Sequence, residues 1–138
     1  TLMFQKEVGM RAVATPRTKA SGRLSVLCQY RADVSVLFDI PPHAFTPPPK
    51  VTSCIVQIVP HEEPTNSPKQ KTLEKLVSAA FNQRRKMLRA SLKSLGVDPL
   101  PKLTGASINE TARAEELTVE DFCRLALEYE KNNETHTQ

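Results

Sequence analysis

Residues 41–53 read Pro41-Pro42-His43-Ala44-Phe45-Thr46-Pro47-Pro48-Pro49-Lys50-Val51-Thr52-Ser53, with five prolines in the first nine positions. Each proline fixes φ and removes a backbone donor, so the stretch forms neither a helix nor a central strand. On one side stands Asp33–Ile40, where Val34, Val36, Phe38 and Ile40 recur at period two. On the other stands Val51–Val59, β-branched and apolar on both faces, the pattern of a more central strand. A stiff loop between two strands therefore presents one aromatic ring, Phe45, with little conformational entropy left to lose. That ring has two possible uses. It is either a platform on which a nucleobase stacks, at about 1–3 kcal/mol per base, or an apolar plug beneath the loop.

Before the loop, residues 1–5 read as a strand end and Gln5–Ala14 as a short helix stopped by Pro16. Arg17–Gly22 reads as a polar loop, and Arg23–Arg31, with Leu24, Leu27 and Cys28 at helical spacing, as a second helix. After the loop, residues 62–66 read as a linker. Ser67-Pro68-Lys69-Gln70 is a helix start, with Ser67 as cap, Pro68 first and Gln70 closing a capping box. The apolar face Leu73, Leu76, Val77, Ala80, Phe81, Leu88, Leu92, Leu95 permits one long helix ended by Gly96, with Asn82-Gln83 the only cheap place for a break. Asp98-Pro99 starts a short helix ending at Gly105. Thr118 and Asp121 form the start of another that buries Phe122, Leu125, Ala126 and Tyr129. The expected organisation is α/β plus α. Residues 1–61 form part of a sheet domain, 67–131 form a small helical domain, and 132–138 form a disordered tail.

Charge is segregated along the chain. Residues 69–97 hold eight basic residues against Glu74 alone, a net +7, whereas residues 98–138 hold four against nine acids, a net −5. Within the basic stretch beginning at Arg84, Lys86, Arg89 and Lys93 fall at i, i+3 and i+7 of a continuous helix, with Arg85 four residues before Arg89, so a basic stripe runs along it, and few acids stand at i,i+4 to pair with these residues. Such a stripe neutralises phosphates in a sequence-independent, salt-sensitive way. A solvated helix face is the alternative. Other chemistries find no support. Cys28, Cys54 and Cys123 are too far apart for a metal pair or disulfide framework. His43, His61 and His136 share no ligand spacing, so no metal is expected. No nucleophile elbow or phosphate loop occurs. No membrane-length apolar run or export leader is visible. The opening Thr1-Leu2-Met3-Phe4 reads as the middle of a strand, as though the chain began inside a longer protein.

The motif Pro-Pro-x-x-Phe-x-Pro-x-Pro-Lys-Val-x-Ser resembles the late motif of adenine-N6 methyltransferases that modify ribosomal RNA. Around it stand Gln5-Lys6-Glu7-Val8, Gly22-Arg23-Leu24-Ser25-Val26 with Gln29-Tyr30, Ala80-Phe81-Asn82-Gln83-Arg84-Arg85-Lys86, and Arg113-Ala114-Glu115 with Leu117. In that order they resemble the KsgA-type small-subunit rRNA adenine-N6,N6-dimethyltransferases over nearly the whole chain. The resemblance implies the C-terminal part of a Rossmann-like methyltransferase sheet followed by a helical rRNA-binding domain. It implies S-adenosylmethionine as cofactor of the full-length enzyme and dimethylation of two adjacent adenosines near the 3′ end of small-subunit rRNA. Phe45 matches the phenylalanine that closes one side of the target base, and Lys50, Arg84, Arg85, Lys86, Arg89 and Lys93 are the RNA-binding candidates. The implied partner is the 30S-type ribosomal subunit, met by a cytoplasmic monomer. The family's GxGxG-type turn, ribose-binding acid and Asn-Leu-Pro-Tyr loop are absent here, because all lie N-terminal to position 1 in the family. The chain alone is therefore expected to be inactive. Ala90 stands where an asparagine is common. The competing expectation is a stand-alone, non-catalytic RNA-binding or ribosome-assembly module.

Overall fold

The computed structural model describes residues 1–18, 20–61 and 67–137, with side chains up to Lys131. The expected linker, 62–66, lies outside the described residues. The chain divides into two compact units, Thr1–Thr15 with Ala20–Glu62, and Pro16–Lys19 with Glu63–Gln138.

The first unit is a three-stranded antiparallel sheet in the order β1-β3-β2, formed by β1 (Leu2–Gln5), β2 (Ala32–Ile40) and β3 (Ser53–Pro60). The β-branched strand is the central one, and its Cys54 and Val56 are fully buried. Helices α1 (Lys6–Ala12) and α2 (Arg23–Arg31) separate β1 from β2. Gly9 permits a close approach of α1, because a Cβ there would lie 2.3 Å from Cys54 Sγ. The Gln29 side-chain amide donates to the carbonyls of Ala12 and Ala14, at 3.0 and 2.9 Å, taking up acceptors that the end of α1 leaves open.

Strand β2 departs from the simple period-two reading. Val36 pairs with Val56, but Phe38 pairs with the next residue along β3, Ile55, so Leu37 is bulged. Cross-strand partners share a face, and Val56 and Ile55 lie on opposite faces. The bulge thus moves Phe38 and Ile40 away from the side occupied by Val34 and Val36, and Phe38 is left exposed. The strand after the loop also starts two residues later than the sequence suggests, at Ser53.

The second unit is helical: α3 (Gln70–Asn82), α4 (Leu88–Ser91) running into a 3-10 turn (Leu92–Leu95), α5 (Pro99–Gly105), a 3-10 turn (Ala114–Glu116) and α6 (Val119–Thr137). Its core is Leu73, Leu76, Val77 and Ala80 from α3, with Leu88, Leu92, Leu103, Phe122, Leu125 and Ala126, all essentially inaccessible. The Phe81 and Phe122 rings lie 5.8 Å apart and tilted, an aromatic pairing within this core. The expected capping box at Ser67 is replaced. Lys69 holds the capping position without a side-chain cap, and its N–H donates to Glu130 of α6 at 2.6 Å. Two other starts follow their sequence signals. Asp98 accepts the Leu100 N–H at 3.1 Å, and Thr118 and Asp121 exchange reciprocal bonds of 3.0 and 3.1 Å. Gly96, at φ 84°, ends the 3-10 turn in the left-handed region that favours glycine. The backbone of α6 is helical to Thr137, through most of the stretch expected to be a tail.

The one long helix does not form. α3 ends at Asn82, where Gln83 leaves helical geometry. Met87 then bridges Arg113 in a short antiparallel pairing, and the Leu88 N–H donates to the Ala112 carbonyl at 2.8 Å. These tertiary bonds take the place of the i→i−4 bonds that a continuous helix would make. Leu88 and Leu92 still reach the core, by re-entry after a turn.

Candidate nucleic-acid interface

The candidate residues occupy two places, one in each unit. In the first, Ile40 and Ser53 are cross-strand partners, so the proline loop leaves and rejoins the sheet at adjacent points. Pro42–Ala44 forms one 3-10 turn, closed by Ala44 N–H to Pro41 O (3.1 Å) and Phe45 N–H to Pro42 O (3.2 Å). Phe45 follows in extended backbone and is half-buried. Lys6 holds both stems of this loop. Its N–H donates to Thr52 O at 2.9 Å, and its ammonium pairs with Asp39 at 2.9 Å. The hydrogen bond from the ammonium to Asp39 and the charge of that carboxylate raise the Lys6 pKa. Lys50 is exposed and has no ion pair among the described residues.

In the second place, the basic segment does not present a helical stripe. Arg84, Arg85 and Lys86 lie in the turn after α3, tightened by Lys86 N–H to Gln83 O at 2.9 Å, whereas Arg89 is on α4 and Lys93 in the 3-10 turn. Arg84 faces inward. Its guanidinium donates to Glu115 Oε2 at 3.2 Å and lies 5.9 Å from the Phe81 ring centroid. Glu115 in turn offers its carbonyl to the Arg17 N–H at 2.5 Å. Arg89 stands 3.9 Å from Glu110, both well exposed. That leaves Arg85, Lys86 and Lys93 exposed and without an acidic partner among the described residues. Sequence reasoning saw few acids at i,i+4 and missed the pairing of Arg84 with Glu115. No local signal joins residues 31 apart.

Among the described residues no group of His, Cys, Asp and Glu is placed to hold a metal, and no helix is long and apolar enough to cross a membrane. The thiols are poor nucleophiles. Burial and the charge of Glu120 push Cys123 up to about 11, burial raises Cys28, and Cys54 is inaccessible.

Comparison with known proteins converges on one family. The model for the ribosomal RNA adenine dimethylase family matches residues 1–131. The ribosomal RNA small subunit methyltransferase A of Azorhizobium caulinodans is 57% identical over 126 residues, covering 91% of this chain and 43% of that protein. Its counterpart in Sinorhizobium medicae is 58% identical over 127 residues, with 91% and 45% covered. The chain thus spans somewhat under half the length of these relatives. Among solved structures, a dimethyladenosine transferase from Plasmodium falciparum superposes with a TM-score of 0.84 at 26% identity, covering 96% of this chain and 57% of that one. The 23S rRNA methyltransferase ErmE gives a TM-score of 0.57 at 21% identity over 93% of this chain and 53% of that one, a likeness of fold alone.

Proposed function

This chain belongs to the ribosomal RNA adenine dimethylase family, and on that footing we propose that it is the base-closing and RNA-binding part of an S-adenosylmethionine-dependent enzyme. That enzyme dimethylates N6 of two adjacent adenosines near the 3′ end of small-subunit rRNA. Its three-stranded sheet is the C-terminal portion of a larger Rossmann-like sheet. Residues 67–131 are the rRNA-binding domain, and the partner is the small ribosomal subunit, met by a cytoplasmic monomer. The observation that carries the reading is the proline loop, with half-buried Phe45 following a closed 3-10 turn and both loop stems tied to Lys6.

S-adenosylmethionine supplies an electrophilic methyl group. The residues here do not fit its binding: the four glycines, Gly9, Gly22, Gly96 and Gly105, stand far apart, and no GxGxG-type turn occurs. The cofactor is held by other residues of the full-length protein. What this chain contributes is position. An adenine stacked in a duplex is out of reach, so the base must be unstacked and held. N6 is a weak nucleophile, because its lone pair is delocalised into the ring, and transfer depends on alignment. The Phe45 ring covers one face of the extruded base, while Lys50, Arg85, Lys86 and Lys93 contact phosphates that carry no sequence information.

The test is Phe45→Ala in the full-length enzyme. Loss of base stacking, about 1–3 kcal/mol, is expected in single-turnover methylation, with RNA affinity and thermal midpoint nearly unchanged. A plug beneath the loop gives the reverse, a stability loss of about 3–5 kcal/mol with normal turnover of the folded fraction, and that result would retire the stacking role. The 138-residue chain alone is expected to show no heat of binding with S-adenosylmethionine and no methyl transfer.

A further inference from the structure

A groove of about 390 Å³ opens in the helical unit, where the first turns of α3 meet the segment after α4. Its rim is Lys69, Lys71 and Lys75, and its floor includes Leu95 and Val97, closed by Tyr129. All three lysines are exposed, and none has an ion pair among the described residues. The neighbouring acids each accept a hydrogen bond. Glu130 accepts the Lys69 N–H at 2.6 Å, Glu74 accepts from the Gln70 side chain at 2.9 Å, and Asp98 accepts the Leu100 N–H at 3.1 Å. Since a carboxylate already takes the amide at the start of α3, an anion in the groove would be held by ammonium groups, not by the helix terminus. The Tyr129 hydroxyl, buried at the groove's end, makes no hydrogen bond to a described residue.

We propose that this groove is a second RNA contact of the helical unit. It takes one strand of RNA, with phosphates on Lys69, Lys71 and Lys75 and a ribose or base face against Leu95 and Val97. The proposal rests on the RNA-binding reading above and deepens it. Lys71 and Lys75 are i,i+4 neighbours on one helix face, with Cβ atoms about 5–6 Å apart, so they engage a continuous polyanion together. An acidic peptide fits less well. Laid on an apolar floor, its backbone N–H and C=O groups would lose water without gaining partners, whereas a ribose or base presents an apolar face. Neither Lys69, Lys71 nor Lys75 belongs to the segment 84–93 that the sequence motif picks out, so this contact is separate from the basic turn.

The experiment compares K69Q/K71Q/K75Q with R85Q/K86Q/K93Q, both in this chain. An unstructured 12-nucleotide RNA is the probe, with affinity read by fluorescence anisotropy across a salt series. Each lysine that engages a single-strand phosphate contributes about 0.7 to the log–log salt slope, so the groove variant should lose up to about 2. Both variants should keep the wild-type thermal midpoint. A groove variant with the wild-type slope, beside a basic-turn variant that has lost slope, would overturn the groove while leaving the RNA-binding function standing. Wild-type slopes in both variants would overturn both. Binding of oligo-glutamate that the groove substitutions abolish, with RNA binding untouched, would also overturn it in favour of an acidic protein partner.

Discussion

Arg84→Ala separates the part of the basic segment that builds the turn from the part that meets RNA. The Arg84–Glu115 pair is 3.2 Å long, with side chains 39% and 32% exposed. Water reaches both, so screening holds the pair to about 0.2–1 kcal/mol. The guanidinium over Phe81 adds about 0.5–1 kcal/mol. Removal of the side chain is therefore expected to destabilise the helical unit by about 1–2 kcal/mol. At roughly 4–8 °C per kcal/mol for a unit of this size, the loss is readable in a thermal melt followed by circular dichroism. Glu115→Gln should lose only the charge component, and the double variant should cost less than the sum of the singles, because both remove the same contact. High salt should shrink the difference between wild type and either single variant. Well below the midpoint, the salt dependence of RNA binding by Arg84→Ala should equal that of wild type. Arg85→Ala should do the opposite, leaving stability within about 0.5 kcal/mol and lowering the slope by about 0.7. An unchanged midpoint in Arg84→Ala together with a reduced salt slope would refute the reasoning. It would mean that the guanidinium leaves Glu115 to bind phosphate.

Two further outcomes are expected. Asp98→Ala removes the side chain that caps α5 through the Leu100 N–H, and urea unfolding should show a loss of about 0.5–2 kcal/mol. Tyr129 is pushed up to about 12, first by burial and then by the charge of Asp98. Its proton is held more tightly in the folded state, so this contribution to stability is complete below the ordinary tyrosine value near 10 and is lost as pH rises through about 12. Denaturation across that window should show the decline, and Tyr129→Phe should flatten it; with no tryptophan and two tyrosines in the chain, absorbance at 295 nm in a Tyr30→Phe background follows the Tyr129 phenolate. A normal titration near 10 would show the hydroxyl to be solvated.

Much of the architecture is local in origin and therefore legible in the residue order. The strand–loop–strand reading of residues 33–59 needs only period-two apolar spacing and proline's missing donor. The starts at Asp98 and Thr118 need only a side-chain oxygen within three residues of an open N–H. The turn at Gly96 needs a residue that accepts positive φ. The family is legible for a related reason, since the proline motif and Ala80–Lys86 are contiguous strings.

What only the tertiary structure decides depends on partners far along the chain. The break at residues 83–87 falls where the sequence leaves one cheap, at Asn82-Gln83, but the helical pattern does not require it, because Leu88 and Leu92 stay in phase across it. The hydrogen bond from Leu88 to Ala112 and the bridge from Met87 to Arg113 carry it. Five basic residues of one short segment are sorted by where Glu110 and Glu115 fall into Arg84 and Arg89, which are paired, and Arg85, Lys86 and Lys93, which have no acidic partner among the described residues. The bulge at Leu37 sends Phe38 to the opposite face because register belongs to a pair of strands, and one strand's sequence does not contain it. Spacing along the chain determines which residues can form an element, but long-range contacts decide where that element stops and which of its charges remain free to meet a ligand.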